Sequence, residues 1–196
     1  MSTLFVIEIL LIVFTVVGLF IFSLLYPFHL LNVDYKNKVI SLIFASGVSR
    51  WKYYFVKISA TILSTLIAAF VILFIPMVTF LIVYTDLFVV AVQNIIGSFS
   101  SSDIVSFLLS TTIGFVATIV TLTTAVIITK GKTSGIFLFL GFLFAVSTVQ
   151  SMFSVPLFFS MKNFTSSYFN LTILYSIIQI VVFVLIGLNV LKRQDL

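Results

Sequence analysis

Five uninterrupted apolar runs govern what this chain can become. They extend from about Leu4 to Leu25, Tyr54 to Tyr84, Ile104 to Thr129, Ser134 to Phe153 and Tyr168 to Leu191. Crossing the ~30 Å of hydrocarbon in a bilayer takes about 20 residues of helix, which is the scale of each run. The runs are continuous rather than alternating, and lipid requires every backbone amide to be bonded within its own segment, so they predict helices and not barrel strands. The expected fold is an all-α integral membrane protein of about five transmembrane helices, forming one domain over residues 1–196. Composition agrees, because only 8% of residues are charged, against about 25% in a soluble domain. Pro76 is expected to kink the second run. No cleaved signal peptide is expected, since Met1 to Phe5 carries no basic residue and no small-residue pattern ends the first run.

Charge placement orients these helices. Lys and Arg in short loops stay in the cytoplasm. Lys36, Lys38, Arg50, Lys52 and Lys57 lie between runs one and two, Lys130 and Lys132 between three and four, and Lys192 and Arg193 after five. All nine fall on one side, which leaves Lys162 alone on the other. The N-terminus is therefore predicted outside and the C-terminus in the cytoplasm. The net charge of +5 is assigned to this orientation, and no nucleic acid is expected as a partner.

The outer face offers two loops. Asp86 to Asp103 reads as an interfacial apolar group, Leu87 to Val92, followed by a Ser-rich turn; Ser154 to Ser167, with Pro156, reads as headgroup-level chain or a short re-entrant helix before the last run. Neither has the makings of a binding domain.

The cytoplasmic stretch between the first two runs, about 34–52, differs in kind. Asp34 is placed to cap an amphipathic helix running to about Ala45, Gly47 to end it, and Ser49 to cap the next helix, which enters the membrane behind a basic and aromatic belt. A plain interfacial loop anchored by lysines and aromatics is the competing interpretation. The run Lys36-Asn-Lys-Val-Ile-Ser-Leu-Ile-Phe-Ala-Ser-Gly-Val-Ser-Arg-Trp-Lys-Tyr-Tyr-Phe-Val-Lys57 resembles a segment of ABC exporter permeases of the type-two family, which serves drug, polysaccharide and bacteriocin export. That segment has a charged start, a Leu-rich helix, a Val-Ser-Arg turn, an aromatic patch and a Lys that opens the next span.

The resemblance implies that this stretch is a coupling helix seated on a partner ATPase, with Asp34, Lys36, Lys38, Ser41, Ser46, Gly47, Ser49 and Arg50 at or near the contact. It also implies a second permease chain, a homo- or heterodimer, and ATP and Mg held by the partner ATPase with no cofactor on this chain. The family usually has six spans, and its coupling segment follows the second. Here the segment follows the first run, so the comparison leaves the family's first span and elbow helix missing: through shortening, a late start or supply by another chain. Gly131-Lys132-Thr133 is no phosphate-binding loop, because Val126 stands where that loop needs glycine.

Within the membrane, small residues recur at helical spacing: Ala60, Ser64 and Ala68; Ser110, Gly114 and Thr118; Ala117, Thr121 and Ala125. Such rows let helix backbones approach closely. Ser110, Thr111, Thr118, Thr121 and Thr124 have an alternative use as a weakly polar path for an amphipathic substrate. Glu8 is the intramembrane acid, close enough to the outer interface to reach headgroups or a partner helix. With no Cys, a single His and no paired intramembrane carboxylates, catalytic and metal chemistry have no residues to work with, and an enzyme is not expected. The expectation is a multi-pass permease in a bacterial cell membrane, in contact with lipid, that exports an amphipathic or hydrophobic peptide, drug or lipid. The competing class is a membrane immunity or assembly factor that binds other membrane proteins without transport.

Overall fold

A computed structural model describes residues 3–83, 89–90, 93, 101–160 and 164–194. Six helices make up the regular structure among them: α1 (Thr3–Lys36), α2 (Val39–Ala45), α3 (Arg50–Val83), α4 (Ser101–Ile128), α5 (Ser134–Ser160) and α6 (Phe164–Arg193). Within these residues four stretches are long and apolar enough to cross a bilayer: Arg50–Phe74, Ile104–Ile128, Ser134–Met152 and Asn170–Arg193. The chain is thus all-helical and multi-pass in character, as the apolar runs predict. The run Leu4 to Leu25 falls in α1, where the side chains before Val17, Glu8 included, lie outside the described residues. Most of the loop 86–103 and Lys162 lie outside them too, as do the side chains around Pro76 and Pro156.

The chain is organised about α4, which packs most extensively on α6 and also meets α1, α3 and α5. From Ile119 to Ile127 every residue of α4 is buried, the condition of a helix enclosed on all sides. On one flank Phe28 and Leu31 of α1 and Phe139 of α5 pack against Leu122, Ala125 and Val126; on the other, Tyr54 and Ile58 of α3 and Phe183, Leu188 and Leu191 of α6 close around Val120 and Ile127.

Three local features depart from sequence expectation. First, α1 does not stop near Leu25 but continues through Pro27 to Lys36; the extra turns bury Pro27, Phe28 and Leu31. Asp34 therefore sits inside α1 and cannot cap the next helix, and α2 is entered through Lys38 in the left-handed conformation with no side-chain cap. Second, α3 buries Tyr54, Ile58, Thr61 and Thr65, a stripe with steps of four, three and four that holds one face inward. The row Ala60, Ser64 and Ala68 lies on a neighbouring, more exposed face. Hydroxyls bonded to their own helix, Thr61 to Lys57 O at 2.8 Å and Thr65 to Thr61 O at 2.7 Å, made burial of the larger residues possible. Third, Pro156 does not interrupt α5, which runs to Ser160, in place of a separate re-entrant piece.

Candidate functional site

The segment that links α1 to α3 is built from two sharp turns around seven helical residues. Lys38 (φ 55°) starts α2, and Gly47 (φ +87°) follows its end, a left-handed position that costs glycine nothing. Ser41 Oγ and Ser46 Oγ donate to Lys38 O and Ile43 O, both at 2.7 Å, which closes the two ends. Ser49 then caps α3, its Oγ accepting from Lys52 N at 3.4 Å and its carbonyl from Tyr53 N at 3.1 Å. The inward face of α2 is anchored by Ile40, which is 1% exposed, with Ile43 and Phe44 beside it, while Leu42 is 69% exposed on the outward face. Between Lys38 and Arg50 the chain carries no charged residue.

Both flanks of α2 are tied into the bundle. Asp34 accepts from Tyr53 Oη at 2.9 Å and pairs with Lys57 at 2.8 Å, so one carboxylate locks the end of α1 to the start of α3. Arg50 donates from one terminal nitrogen to the carbonyls of Leu191 and Lys192, 2.5 Å away in each case, meeting the exposed carbonyl end of α6 with a cation. Its guanidinium lies 5.4 Å from the Phe44 ring, which in turn meets Tyr53 edge-on at 5.4 Å. Arg50 therefore touches α2, belongs to α3 and holds α6. Gln194 adds a second link at the same end, its Nε2 donating to Ile127 O at 2.5 Å and its Oε1 accepting from Tyr35 Oη at 3.3 Å. Burial first, and then the Asp34 charge, push the Tyr35 phenol above its ordinary value, which keeps it a neutral donor.

The turn between α4 and α5 docks on α1. Lys130 (φ 52°) and Gly131 (φ 72°) reverse the chain, with Gly131 N donating to Val126 O at 2.9 Å and Lys130 N to Ile127 O at 3.1 Å, the paired bonds of a Schellman end. A Cβ on Gly131 would stand 2.4 Å from Asn32 Oδ1 and 2.5 Å from Tyr35 Cβ. Asn32 Oδ1 is buried there without a hydrogen-bond partner among the described residues.

Of the eight residues expected at the contact, Asp34 and Arg50 face into the bundle as ties between helices, and Ser41, Ser46, Gly47 and Ser49 shape the turns. Lys36 and Lys38 are exposed, together with Lys52, Lys130, Lys132, Lys192 and Arg193. The segments bearing all nine basic residues of the predicted cytoplasmic side meet at one end of the bundle. Tyr35, Tyr53, Lys57 and Gln194 complete the ties. No local sequence signal marks Gln194; the aromatic and basic spacing of Tyr53 and Lys57 was visible only as a membrane-entry belt.

The hydroxyls proposed for a substrate path divide. Thr121 and Thr124 are fully buried. Thr121 donates to Ala117 O and accepts from Gln179 Nε2, each at 2.8 Å. Thr124 Oγ1 lies 3.0 Å from Val120 O, 2.9 Å from Phe183 O and 3.4 Å from Tyr54 Oη, directly under Gly187, where a Cβ would be 2.8 Å from Tyr54 Oη. These two join α3, α4 and α6. Ser110 is also buried and bonds back to Phe107 O, Thr118 is half-buried and bonds to Gly114 O, and Thr111 is exposed. A cavity of about 10 Å³ lies between α1, α3 and α4, lined by Tyr35, Tyr53, Tyr54 and Lys57 among others; it has room for about one water. No group of metal-binding side chains occurs among the described residues. No protein-family model, no curated protein and no solved structure matches this chain.

Proposed function

We propose that this chain is the permease subunit of an ATP-driven exporter of the type-two ABC family, inserted five times in a bacterial cell membrane with its N-terminus outside and its C-terminus in the cytoplasm. The observation that carries the proposal is the position of α2: a short helix that, with the turn after it, presents uncharged, apolar side chains outward at Leu42 and Val48, held between α1 and α3 and bonded through its flanks to α6. A push on such a helix acts on three long helices at once, which is the mechanical requirement of a coupling element. The resemblance of Lys36 to Lys57 to the family's coupling segment supports the same conclusion. ATP and Mg belong to a separate ATPase subunit, and a second permease chain completes the assembly. A path for an amphipathic or hydrophobic cargo would then run between chains, since Thr121 and Thr124 are used up inside this one.

That same use of the hydroxyls favours a second reading, a membrane immunity or assembly factor that binds other membrane proteins and transports nothing. Affinity purification from mild detergent separates the two. With the native chain, an ATPase carrying nucleotide-binding motifs is expected to copurify; Leu42→Asp combined with Val48→Asp, which leaves Asp34 and Arg50 in place, should release it without lowering the melting temperature. Copurification of other membrane proteins and no ATPase would establish the second reading.

A further inference from the structure

The charges at the basic end are arranged as a collar, and the collar has a partner of its own. Seven cations are exposed there, at the ends of α1, α3, α4, α5 and α6 or one or two residues beyond them. The one described carboxylate at this end, Asp34, is engaged by Lys57 and Tyr53, so among the described residues no acid neutralises any of the seven. Between Lys38 and Arg50, by contrast, the chain, α2 included, is uncharged. Positive charge is thus concentrated at the ends of the long helices and is absent from the α2 segment between Lys38 and Arg50.

The depth of the collar is marked by aromatics. Trp51 is exposed and stacks on Phe55 with ring centroids 5.2 Å apart, and Lys52 lies next to Trp51 and one turn before exposed Val56. An amphipathic ring beside a cation, directly above lipid-facing apolar side chains, is the pattern of a headgroup-level anchor. We propose that this collar selects acidic phospholipid headgroups, so that the chain is ringed at this end by anionic lipid while α2 stays free for a protein. The proposal depends on membrane insertion and not on the exporter assignment. Charge complementarity with the anionic leaflet supplies the attraction, and its reach is limited by salt.

Trp51 is the chain's one tryptophan and reports from inside the collar. The full chain is reconstituted in phosphatidylcholine vesicles that contain a small fraction of either phosphatidylglycerol or phosphatidylcholine brominated near the glycerol, and quenching of Trp51 is compared. At low salt the brominated phosphatidylglycerol is expected to quench several-fold more strongly than the brominated phosphatidylcholine, and the gap should close as sodium chloride is raised. Lys52→Gln should cut the gap by up to about fivefold, the factor contributed by one cation at an anionic surface. Equal quenching by the two lipids at low salt would overturn the proposal and leave the charge for an acidic protein surface. A gap that persists at high salt would overturn it too, because headgroup charge would not be its cause. Should the variant fail to insert, the salt series on the native chain decides alone.

Discussion

Toward the basic end, α4 is buried on every side from Ile119 to Ile127, whereas near its start the same helix exposes Val105, Phe107, Leu108 and Leu109. The contrast repeats in its neighbours. Both α3 and α6 expose apolar residues along their length, but their buried stripes lie toward the basic end: Tyr54, Ile58, Thr61 and Thr65 in α3, with none from Leu66 to Phe74, and Phe183, Leu188 and Leu191 in α6, with Ser176 alone from Asn170 to Val182. Among the described residues, ions, amides and hydroxyls cross between helices toward the basic end, and apolar surface faces outward toward the other. In water such a surface would have to close up. In lipid it carries little penalty, because hydrocarbon solvates leucine as well as another helix does, and polar ties and close packing decide where helices meet. Among the described residues the cross-helix ties gather toward the end where the basic segments meet, and the described side chains of the far half leave apolar surface open.

Changes at the tied end should therefore be costly and matched changes elsewhere mild. The largest loss is expected for Gly131→Val. It combines a left-handed backbone at φ 72° with a Cβ that would overlap Asn32 and Tyr35, and overpacking and backbone strain together are expected to cost about 3 kcal/mol or more. Gly141→Val, in α5 with nothing within 4 Å of the added Cβ, is the matched control. Thermal melts of the detergent-solubilised chains measure both, and equal losses would erase the distinction between the two regions. Asp34→Ala comes next. The side chains of Asp34 and Lys57 are 17% and 21% exposed, between the surface and buried cases, so stranding Lys57 should cost about 1–3 kcal/mol. If the pair acts as a unit, Asp34→Ala with Lys57→Ala will be less damaging than the sum of the single changes; strict additivity would mean that the carboxylate does not tie α1 to α3.

The legibility of these features in the sequence follows the range over which each one acts. The apolar runs specify helices because lipid leaves the backbone no other partner, and four of them recur as bilayer-length apolar helices. Gly47 and Ser49 were legible because a left-handed turn and a helix cap are decided within four residues. The role of Asp34 was not, since whether α1 stops near Leu25 or runs on to Lys36 depends on Phe28 and Leu31 finding α4 and Phe139. The packing face of α3 was missed for a related reason. Small residues signal that close approach is possible, but Thr61 and Thr65 are chosen because they share a stripe with Tyr54 and Ile58, which only the neighbouring helices reveal. Gln194 carries no local signal at all: its two partners are 67 and 159 residues away.

Smaller effects test whether the hydroxyls belong to the same pattern. Thr124→Val keeps the shape of the side chain and removes the oxygen that Tyr54 and Phe183 O approach. A loss of about 1 kcal/mol is expected, within the range of hydrogen bonds between membrane helices. Thr111→Val, on an exposed face where the hydroxyl bonds to Phe107 O of its own helix, should shift stability by less than about 0.5 kcal/mol. If Thr111→Val instead impairs export while leaving the melt unchanged, the path reading survives for the outer hydroxyls of α4 and the packing reading is confined to Thr121 and Thr124.

The smallest effect is expected from one of the most exposed apolar residues. Phe144 in α5 is 75% exposed, and in a soluble protein so bare a ring would mark a binding site or an aggregation hazard. In lipid the ring is solvated on its outer face, and Phe144→Ala removes contacts with acyl chains that the unfolded helix would also make. The melting temperature in detergent or nanodiscs should therefore move by no more than the equivalent of about 0.5 kcal/mol. A loss of several kcal/mol would mean that this face is covered by protein. The size of that one shift thus distinguishes a face bathed in lipid from one covered by protein.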